Sequence, residues 1–585
     1  MNNKQKLELT WIGKGEQPKL EPRILIEDPE KSYGDSDSSN MLIHGDNLLA
    51  LQALEQNFTE RIRCIYIDPP YNTGSAFEHY DDALEHSTWL NLMRPRIELL
   101  RKLLKPDGFF CCQIDDSEGH YLKILLDEVF GRDNYLTSFY VRVRYPDKTL
   151  KSDMDYHKEI EQIHIYRKRY GAKANRNAEE FTFDKFVYSF KELARGTEIN
   201  LGGKKVVMFK KGDYEISKGP GTEFGLKEIW ASGTILDGNS SGRFFRDYLT
   251  GRYEQDGYGV LYKVFGIGDD RYEFRYFTGP QKAGATKGKY YQGVPTSQLN
   301  APSTVKESPI NNFYDLAANF GNCRTEGGVD FRSGKKPEAL LQIILRHFSN
   351  AGDWVLDSFL GSGTTAAVAH KMDRNWIGIE LLEHCDTHCL PRLKAVVQGT
   401  DQTGISESEE WKGGGGFKYY DLAPSLLLQD NKGNWIINKQ YNAAQLAAAM
   451  AKHEGFRFQP DDACYWKQGK STEKDYIFTT TNFLSVDLID TIHSEMKTDP
   501  EGTGESLLIC CTSFSKAADK YANITIKKIP KMLLGRCEFG KEDYSLNIVN
   551  MPRENDEEEF IPVGPIATND SKSKKKSNGK QEKLF

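Results

Sequence analysis

No run of apolar residues in this 585-residue chain comes near the eighteen or so that a membrane span requires. The opening MNNKQKLELTWIGKGEQ has no apolar core of signal-peptide type. Both absences predict a cytoplasmic protein with no membrane partner. Cysteine is sparse: ten residues scattered over the whole length, which argues against a disulfide framework. A surplus of positive charge is also missing. Lys and Arg number 77 against 84 Asp and Glu, a net charge of −7, so the bulk charge does not advertise a nucleic-acid partner. There are no tandem repeats.

What is present is an ordered alternation of element types. Residues 1–40 read as an extended, polar lead-in. From Met41, MLIHG reads as a strand and DNLLALQALEQNF as a helix with Asp46 or Asn47 at its start. RCIYI is a strand, and STWLNLMRPRIELLRKLLKPDG an amphipathic helix stopped by Pro106 and Gly108. GFFCCQID is a strand with Cys111 and Cys112 in the core, SEGHYLKILLDEVFG a helix, and EIEQIHIYR (159–167) alternates as a half-exposed strand.

Over 171–325 the alternation gives way to Gly, Lys, aromatics and short strand-like pieces. Between 171 and 300, Lys and Arg outnumber Asp and Glu by 20 to 16, leaving −11 on the rest of the chain, and the stretch holds 22 of the 68 aromatic residues. Basic and aromatic together suit a nucleic-acid surface, and equally a β-rich domain with an aromatic core. The first pattern then resumes with KKPEALLQIILRHFSN, DWVLDSF, TTAAVAHKM, NWIGIE and a helical LLEHCDTHCLPRLKAVVQG broken near Pro391. Four consecutive glycines mark a linker over 401–420. Residues 421–566 mix helix and strand, and 567–585 are low-complexity and disordered in expectation. The fold class is α/β: a doubly wound, mostly parallel sheet built from 41–170 and 326–400, interrupted by an inserted domain, with a C-terminal α+β domain.

Two stretches carry chemistry. In VLDSFLGSGTTAAVA a strand delivers Asp357, a Phe-x-Gly-Ser-Gly turn follows, and a helix opens whose free N–H groups face the turn. Glu380 ends the next strand, 23 residues after Asp357, where an acid suits a ribose diol. The third glycine of a dinucleotide fingerprint is lacking: after Gly361 and Gly363 come Thr364, Thr365 and Ala366. That disfavours a pyrophosphate ligand, and with it a dinucleotide oxidoreductase. S-adenosyl-L-methionine, which has a ribose and no phosphate, fits better. In CIYIDPPYNTGS a buried strand ends at Asp68, Pro69, Pro70 and Tyr71. The Asp68 carboxylate and the Pro69 carbonyl are two acceptors for the two hydrogens of an exocyclic amine, and Tyr71 offers a stacking face. The same tetrapeptide alone could be a structural Pro-Pro turn with a capping acid.

DPPY followed about 290 residues later by FLGSG, with the aromatic insert between them, resembles the β-class amino-methyltransferases of DNA. MLIHGDNLLALQAL, DPPYNTG, WLNLMRPRIELLRKLLKPDGFFCCQIDD, KKPEALLQIIL, GGGGFKYYDL and ITIKKIPKMLLGRCEFGKEDYSLNI resemble the modification (Mod) subunits of Type III restriction-modification systems, over most of residues 5–552 apart from the insert. The resemblance implies an S-adenosylmethionine-dependent methyltransferase fold, with the catalytic half in 41–170, the cofactor-binding half in 326–400 and a target-recognition domain over 171–325 holding DNA contacts of unknown identity. Asp357, Phe359, Gly361, Ser362 and Gly363 would shape the cofactor loop, and Thr364 and Thr365 open the helix above it. Glu380 would bind the ribose hydroxyls, Asp46 the adenine end, and Asp68, Pro69, Pro70 and Tyr71 the target amine. Pro337 follows Lys336 in the helix that in such proteins flanks the methionine end.

The implied reaction is methylation of the N6 amine of adenine in double-stranded DNA, by base flipping and direct displacement, with no metal. An acid at position 68 points to adenine, since N4-cytosine enzymes usually carry Ser there. A cytosine-N4 enzyme, or a recognition subunit without methylation, are the alternatives. The implied partners are a second copy of the chain and a restriction helicase-nuclease subunit, in a bacterial or archaeal cytoplasm at the nucleoid.

Two further features stand apart. His384, Cys385, His388 and Cys389 have the i, i+4 spacing of zinc ligands but no second ligand pair, which favours helix packing. The ending QEKLF places Gln581, Leu584 and Phe585 at the outer positions of peptides that dock on bacterial sliding clamps, with Glu582 departing from the apolar second position.

Overall fold

Ten strands make one mixed sheet: β1 (Leu25–Gly34), β2 (Met41–His44), β3 (Ile62–Ile67), β4 (Leu104–Ile114), β5 (Tyr135–Arg142), β6 (Ile160–Arg167), β7 (Phe313–Asp315), β8 (Trp354–Asp357), β9 (Asn375–Glu380) and β10 (Gly416–Leu422). Their order across the sheet is β1-β10-β2-β9-β8-β3-β4-β6-β5-β7. The centre, from β10 to β4, is parallel throughout. Three antiparallel pairs flank it: β1 on β10, and β6 on both β4 and β5. In this computed structural model the described residues are 8–16, 19–71, 82–146, 156–231, 240–285, 287–299, 305–331, 334–471, 474–496 and 504–541.

The helices are α1 (Asn47–Phe58), α2 (Asp82–Leu103), α3 (Gly119–Phe130), α4 (Glu338–Phe348), α5 (Thr364–Lys371) and α6 (Leu390–Gln398). Helix α3 carries an apolar stripe at i, i+3 and i+4 spacing, Leu122, Leu125, Leu126 and Phe130, whereas all eight residues of α5 are buried. Leu48, Leu51, Leu100 and Leu125 from α1–α3 pack with Ile65, Ile67, Phe110 and Ile114 on one face of the sheet. Phe109 points the other way, with its ring 5.1 Å from Phe348 of α4. All six residues of β3 are buried, as a strand covered on both faces must be. Each fully buried Leu or Ile there contributes roughly 1.5–3 kcal/mol.

The chain divides into two compact units, Met1–Asn175 with Asn311–Phe585, and Arg176–Ile310. The second has a six-stranded antiparallel sheet with an aromatic core that includes Phe244, Phe245, Tyr262, Phe277 and Tyr290. It begins and ends in a two-stranded ribbon, Asn177–Glu180 against Val305–Ser308. The C-terminal part of the first unit has a five-stranded sheet with helices Ala443–His453 and Val486–Glu495.

Several boundaries differ from the sequence reading. The lead-in contains the ten-residue β1, six of whose residues pair with β10 across nearly 400 positions of sequence. Helix α2 ends at Leu103, and Leu104–Asp107 already belong to β4, because Leu104 takes up register with Ile62. Residues 311–325 fall in the first unit, since β7 extends the sheet beside β5. The linker is part of the fold: Asp401, Ile405 and Ser406 are buried, and the last glycine of the run starts β10. The break near Pro391 is a wider turn of helix over Cys385–Cys389. The tail with QEKLF lies outside the described residues. No helix among the described residues is long and apolar enough to cross a membrane.

Candidate active site

The two stretches singled out in the sequence become neighbours because β3 and β8 are adjacent parallel strands, with Ile65 opposite Leu356. The next strand after β3 lies on one side of that pair and the next after β8 on the other. The boundary between β3 and β8 is therefore a topological switch point, where the loops at the carboxyl ends diverge and leave a crevice. A cavity of about 420 Å³ occupies it, lined among others by Asp46, Asp68, Pro69, Pro70, Tyr71, Phe331, Lys336, Phe359, Gly361 and Glu380.

On the β3 side, Asp68 Oδ2 lies 2.7 Å from Lys336 Nζ, and the Tyr71 hydroxyl lies 2.7 Å from Asp68 Oδ1. Burial pushes the Asp68 carboxyl above its ordinary value, against the pull of the Lys336 cation. Burial also works against the Lys336 charge, but Asp68 and Glu161 overcome it and hold that ammonium above its ordinary value. The corner is braced from behind: Trp89 Nε1 donates to the Pro70 carbonyl at 2.7 Å. Among the described residues none donates to the Pro69 carbonyl beside the Asp68 carboxylate.

On the β8 side the loop is self-supporting. Asp357 accepts from the Phe359 N–H at 2.9 Å and from the Thr365 hydroxyl at 2.5 Å. Burial pushes its carboxyl up to about 7. Gly363 caps α5 at φ +81° and Gly361 sits at φ +57°, both in the region that favours glycine. A Cβ on Gly361 would meet no protein atom within 4 Å, so it would take up ligand space in the cavity that Gly361 lines. Glu380 accepts from the Gly361 N–H at 2.7 Å and from the Leu382 N–H at 3.1 Å. These two bonds aim the carboxylate and leave it acceptor capacity for a diol.

The predicted residues thus separate into two groups. Asp46, Asp68, Pro69, Pro70, Tyr71, Phe359, Gly361 and Glu380 reach the cavity. Asp357, Ser362, Gly363, Thr364 and Thr365 stand behind it and shape the loop. Asp46 also caps α1, accepting from the Leu49 N–H at 3.0 Å, and pairs with Arg96 Nη2 at 3.1 Å. Arg96 was not singled out from the sequence, and neither was Glu161, which accepts from the Tyr71 hydroxyl at 2.8 Å. The signal for Glu161 lay in EIEQIHIYR, where an outward acid opens a strand whose antiparallel course brings its start to the carboxyl edge of the sheet. Cys385 and Cys389 are buried, while the rings of His384 and His388 pack edge-on against Phe331. Among the described residues no group of three or more His, Cys, Asp or Glu could hold a metal ion.

An acidic, rigid Pro-Pro corner thus faces a glycine turn and a strand-end acid across one crevice. A family profile described as DNA methylase matches residues 62–387, more than half of the chain, and the chain belongs to that family. It is similar to the HindVI Mod subunit of Haemophilus influenzae, 33% identical over 410 residues that cover 66% of this chain and 54% of that one. It is 30% identical over 363 residues to the type III restriction-modification enzyme StyLTI Mod subunit of Salmonella typhimurium, covering 56% of this chain and 49% of that one. The EcoPI Mod subunit of Escherichia phage P1 is 25% identical over 426 residues, covering 64% of this chain and 62% of that one. The chain therefore spans half to three fifths of the length of these relatives. Among solved structures, PvuII DNA methyltransferase (cytosine-N4-specific) aligns at a TM-score of 0.31 and 15% identity, over 60% of this chain and 86% of that one. A likeness of that size carries no information on the target base.

Proposed function

We propose that this protein is a site-specific DNA methyltransferase that modifies the N6 amine of adenine in double-stranded DNA, as the modification and recognition subunit of a Type III-like restriction-modification system. The observation that carries the reading is the placement of Asp68 and Pro69 on the same cavity as Glu380 and the Phe359–Gly361 turn. S-adenosyl-L-methionine fits the cavity residues on the β8 side, with Glu380 toward the ribose hydroxyls, Gly361 giving backbone approach, and Phe359 giving an apolar wall. When bound there it supplies an activated methyl group. Asp68 and the Pro69 carbonyl hold the two amine hydrogens, which localises the nitrogen lone pair for attack. Tyr71 lies on the cavity wall as a stacking face for the flipped base. Residues 176–310 are assigned target recognition, because an aromatic, mildly basic unit is inserted between the two halves of the site. The partners proposed are duplex DNA, a second copy of the chain and a helicase-nuclease subunit.

Incubation with methyl-labelled S-adenosylmethionine and unmethylated DNA, followed by digestion to nucleosides, tests the reading. Label is expected in N6-methyladenine. Label in N4-methylcytosine would overturn the base assignment, and no label would overturn the enzyme. Asp68→Ala is expected to lower transfer by at least about 100-fold with cofactor affinity retained. Loss of cofactor binding in that variant would remove Asp68 from the amine pocket.

A further inference from the structure

The Tyr71 hydroxyl is 2.7 Å from Asp68 Oδ1 and 2.8 Å from Glu161 Oε2. A phenol has a single hydrogen to donate. Both contacts can be hydrogen bonds at once only if a second proton sits on one of the two acids and the phenol oxygen accepts it. The three groups are thus a chain along which a proton can shift one place at each link.

The far end is fixed as firmly as the near one. Gln113 Nε2 donates to Glu161 Oε2, and the Tyr66 hydroxyl donates to Gln113 Oε1, so the amide can face only one way. Lys336 Nζ stands 3.8 Å from the same Glu161 oxygen. Glu161 does not line the site cavity. It lines a neighbouring cavity of about 230 Å³ together with Arg144, Cys323, Arg324 and Lys335, and Lys336 borders both cavities. The chain of Asp68, Tyr71 and Glu161 therefore runs from the wall of one cavity to the wall of the next. Tyr71, Gln113 and Lys336 face Glu161 directly, while Lys335 is held by three backbone carbonyls, Arg324 by Asp330, and Arg144 and Cys323 also line the second cavity.

We propose that Asp68, Tyr71 and Glu161 form a proton-exit relay that discharges the methylated amine into the second cavity while the base still fills the first. The inference rests on the amine methylation proposed above. As the amine nitrogen forms its bond to the methyl carbon, the donor's S–C bond breaks and its electron pair stays on sulfur. The nitrogen then carries one hydrogen too many. That proton passes to Asp68, Tyr71 takes it as it gives its own to Glu161, and Glu161 releases it to water. Glu161 acts through Tyr71 and does not touch the base.

Single-turnover methyl transfer by the full-length protein on duplex DNA tests the relay. Glu161→Gln keeps an oxygen for the tyrosine and cannot take a proton. It is expected to slow transfer on the order of 10- to 100-fold, with cofactor and DNA affinities unchanged. Glu161→Ala is expected to be slowed as much and to recover several-fold in added formate, an acid–base small enough for the vacated space, whereas Tyr71→Phe is slowed and gains nothing from formate. Transfer by Glu161→Gln at the wild-type rate would overturn the relay. So would an Ala variant that binds both ligands and ignores formate, since Glu161 would then only position Tyr71. If the Gln and Ala variants do not fold, Glu161→Asp decides: the relay requires its rate to depend on pH differently from the wild type, and an unchanged profile overturns it. A wild-type protein that transfers no methyl group overturns the function itself and the relay with it.

Discussion

Asp68 is a half-buried acid kept usable by one cation. Its carboxylate has the Lys336 ammonium at 2.7 Å, so the charge on Lys336 sets how readily Asp68 ionises. Lys336→Met removes a positive charge beside Asp68 and so raises its pKa further. If the ionised acid holds the amine, the acid limb of the rate-against-pH curve moves to higher pH in that variant, and a limb that stays in place would separate Lys336 from Asp68. Asp357 makes a second prediction. Its folded-state pKa of about 7 lies above the unfolded value of about 3.9, so the unfolded chain binds fewer protons between those limits. The contribution of Asp357 to stability is full below about pH 4 and is lost as pH rises through about 7. Asp357→Asn keeps the shape and removes the titration, so its melting temperature is expected to change less than the wild type's over that interval. Parallel curves would show that Asp357 is ionised throughout. DPPY and FLGSG were legible as local strings. Glu161 and Arg96 were not, because each is an ordinary residue of an amphipathic element until the sheet brings it to the crevice.

At the scale of elements, the start of α4 ties the two halves of the site together. Lys336 reaches Asp68, and two residues later Glu338 accepts from Arg392 Nη2 at 2.8 Å and from Lys371 Nζ at 2.9 Å. Arg392 also donates to the Ser362 carbonyl at 3.2 Å and to Thr364 Oγ1 at 2.8 Å, so the cofactor loop rests on a buried ion network. Asp401 completes it from the supposed linker, 2.7 Å from Lys371. Glu338→Ala leaves two buried cations short of a partner, and is expected to cost about 3–5 kcal/mol, read as a lower unfolding midpoint. It is also expected to weaken cofactor binding through the loop. An unchanged midpoint would mean that water replaces the lost carboxylate. Helix–strand alternation was legible because buried faces impose periods of 3.6 and 2 on the sequence. The end of α2 was not, since Leu104 continues the apolar pattern of the helix and only pairing with Ile62 turns it into a strand. The ion network was invisible for the same reason: Glu338, Lys371 and Arg392 each read as a solvated helix residue.

At the scale of the whole molecule, the inserted unit leaves its host through a ribbon in which Asn177 lies opposite Ser308, so its two ends are adjacent. Replacing residues 176–310 by a short glycine linker is expected to leave a folded protein that binds S-adenosylmethionine and has lost sequence-specific DNA binding. Retained specificity would move target recognition elsewhere in the chain. By itself the sequence determined which segments are strands and helices near the site, that a different kind of unit interrupts them, and which two strings carry the chemistry, because these are written in periodicity and in rigid local turns. Tertiary structure alone decided that β1 and β10 close the sheet, that Asp357 and Thr365 support the loop from behind, and that Glu161 and Lys336 meet at Tyr71. Those contacts join residues up to nearly 400 positions apart, and strand pairing depends on register and burial that no local window of sequence contains.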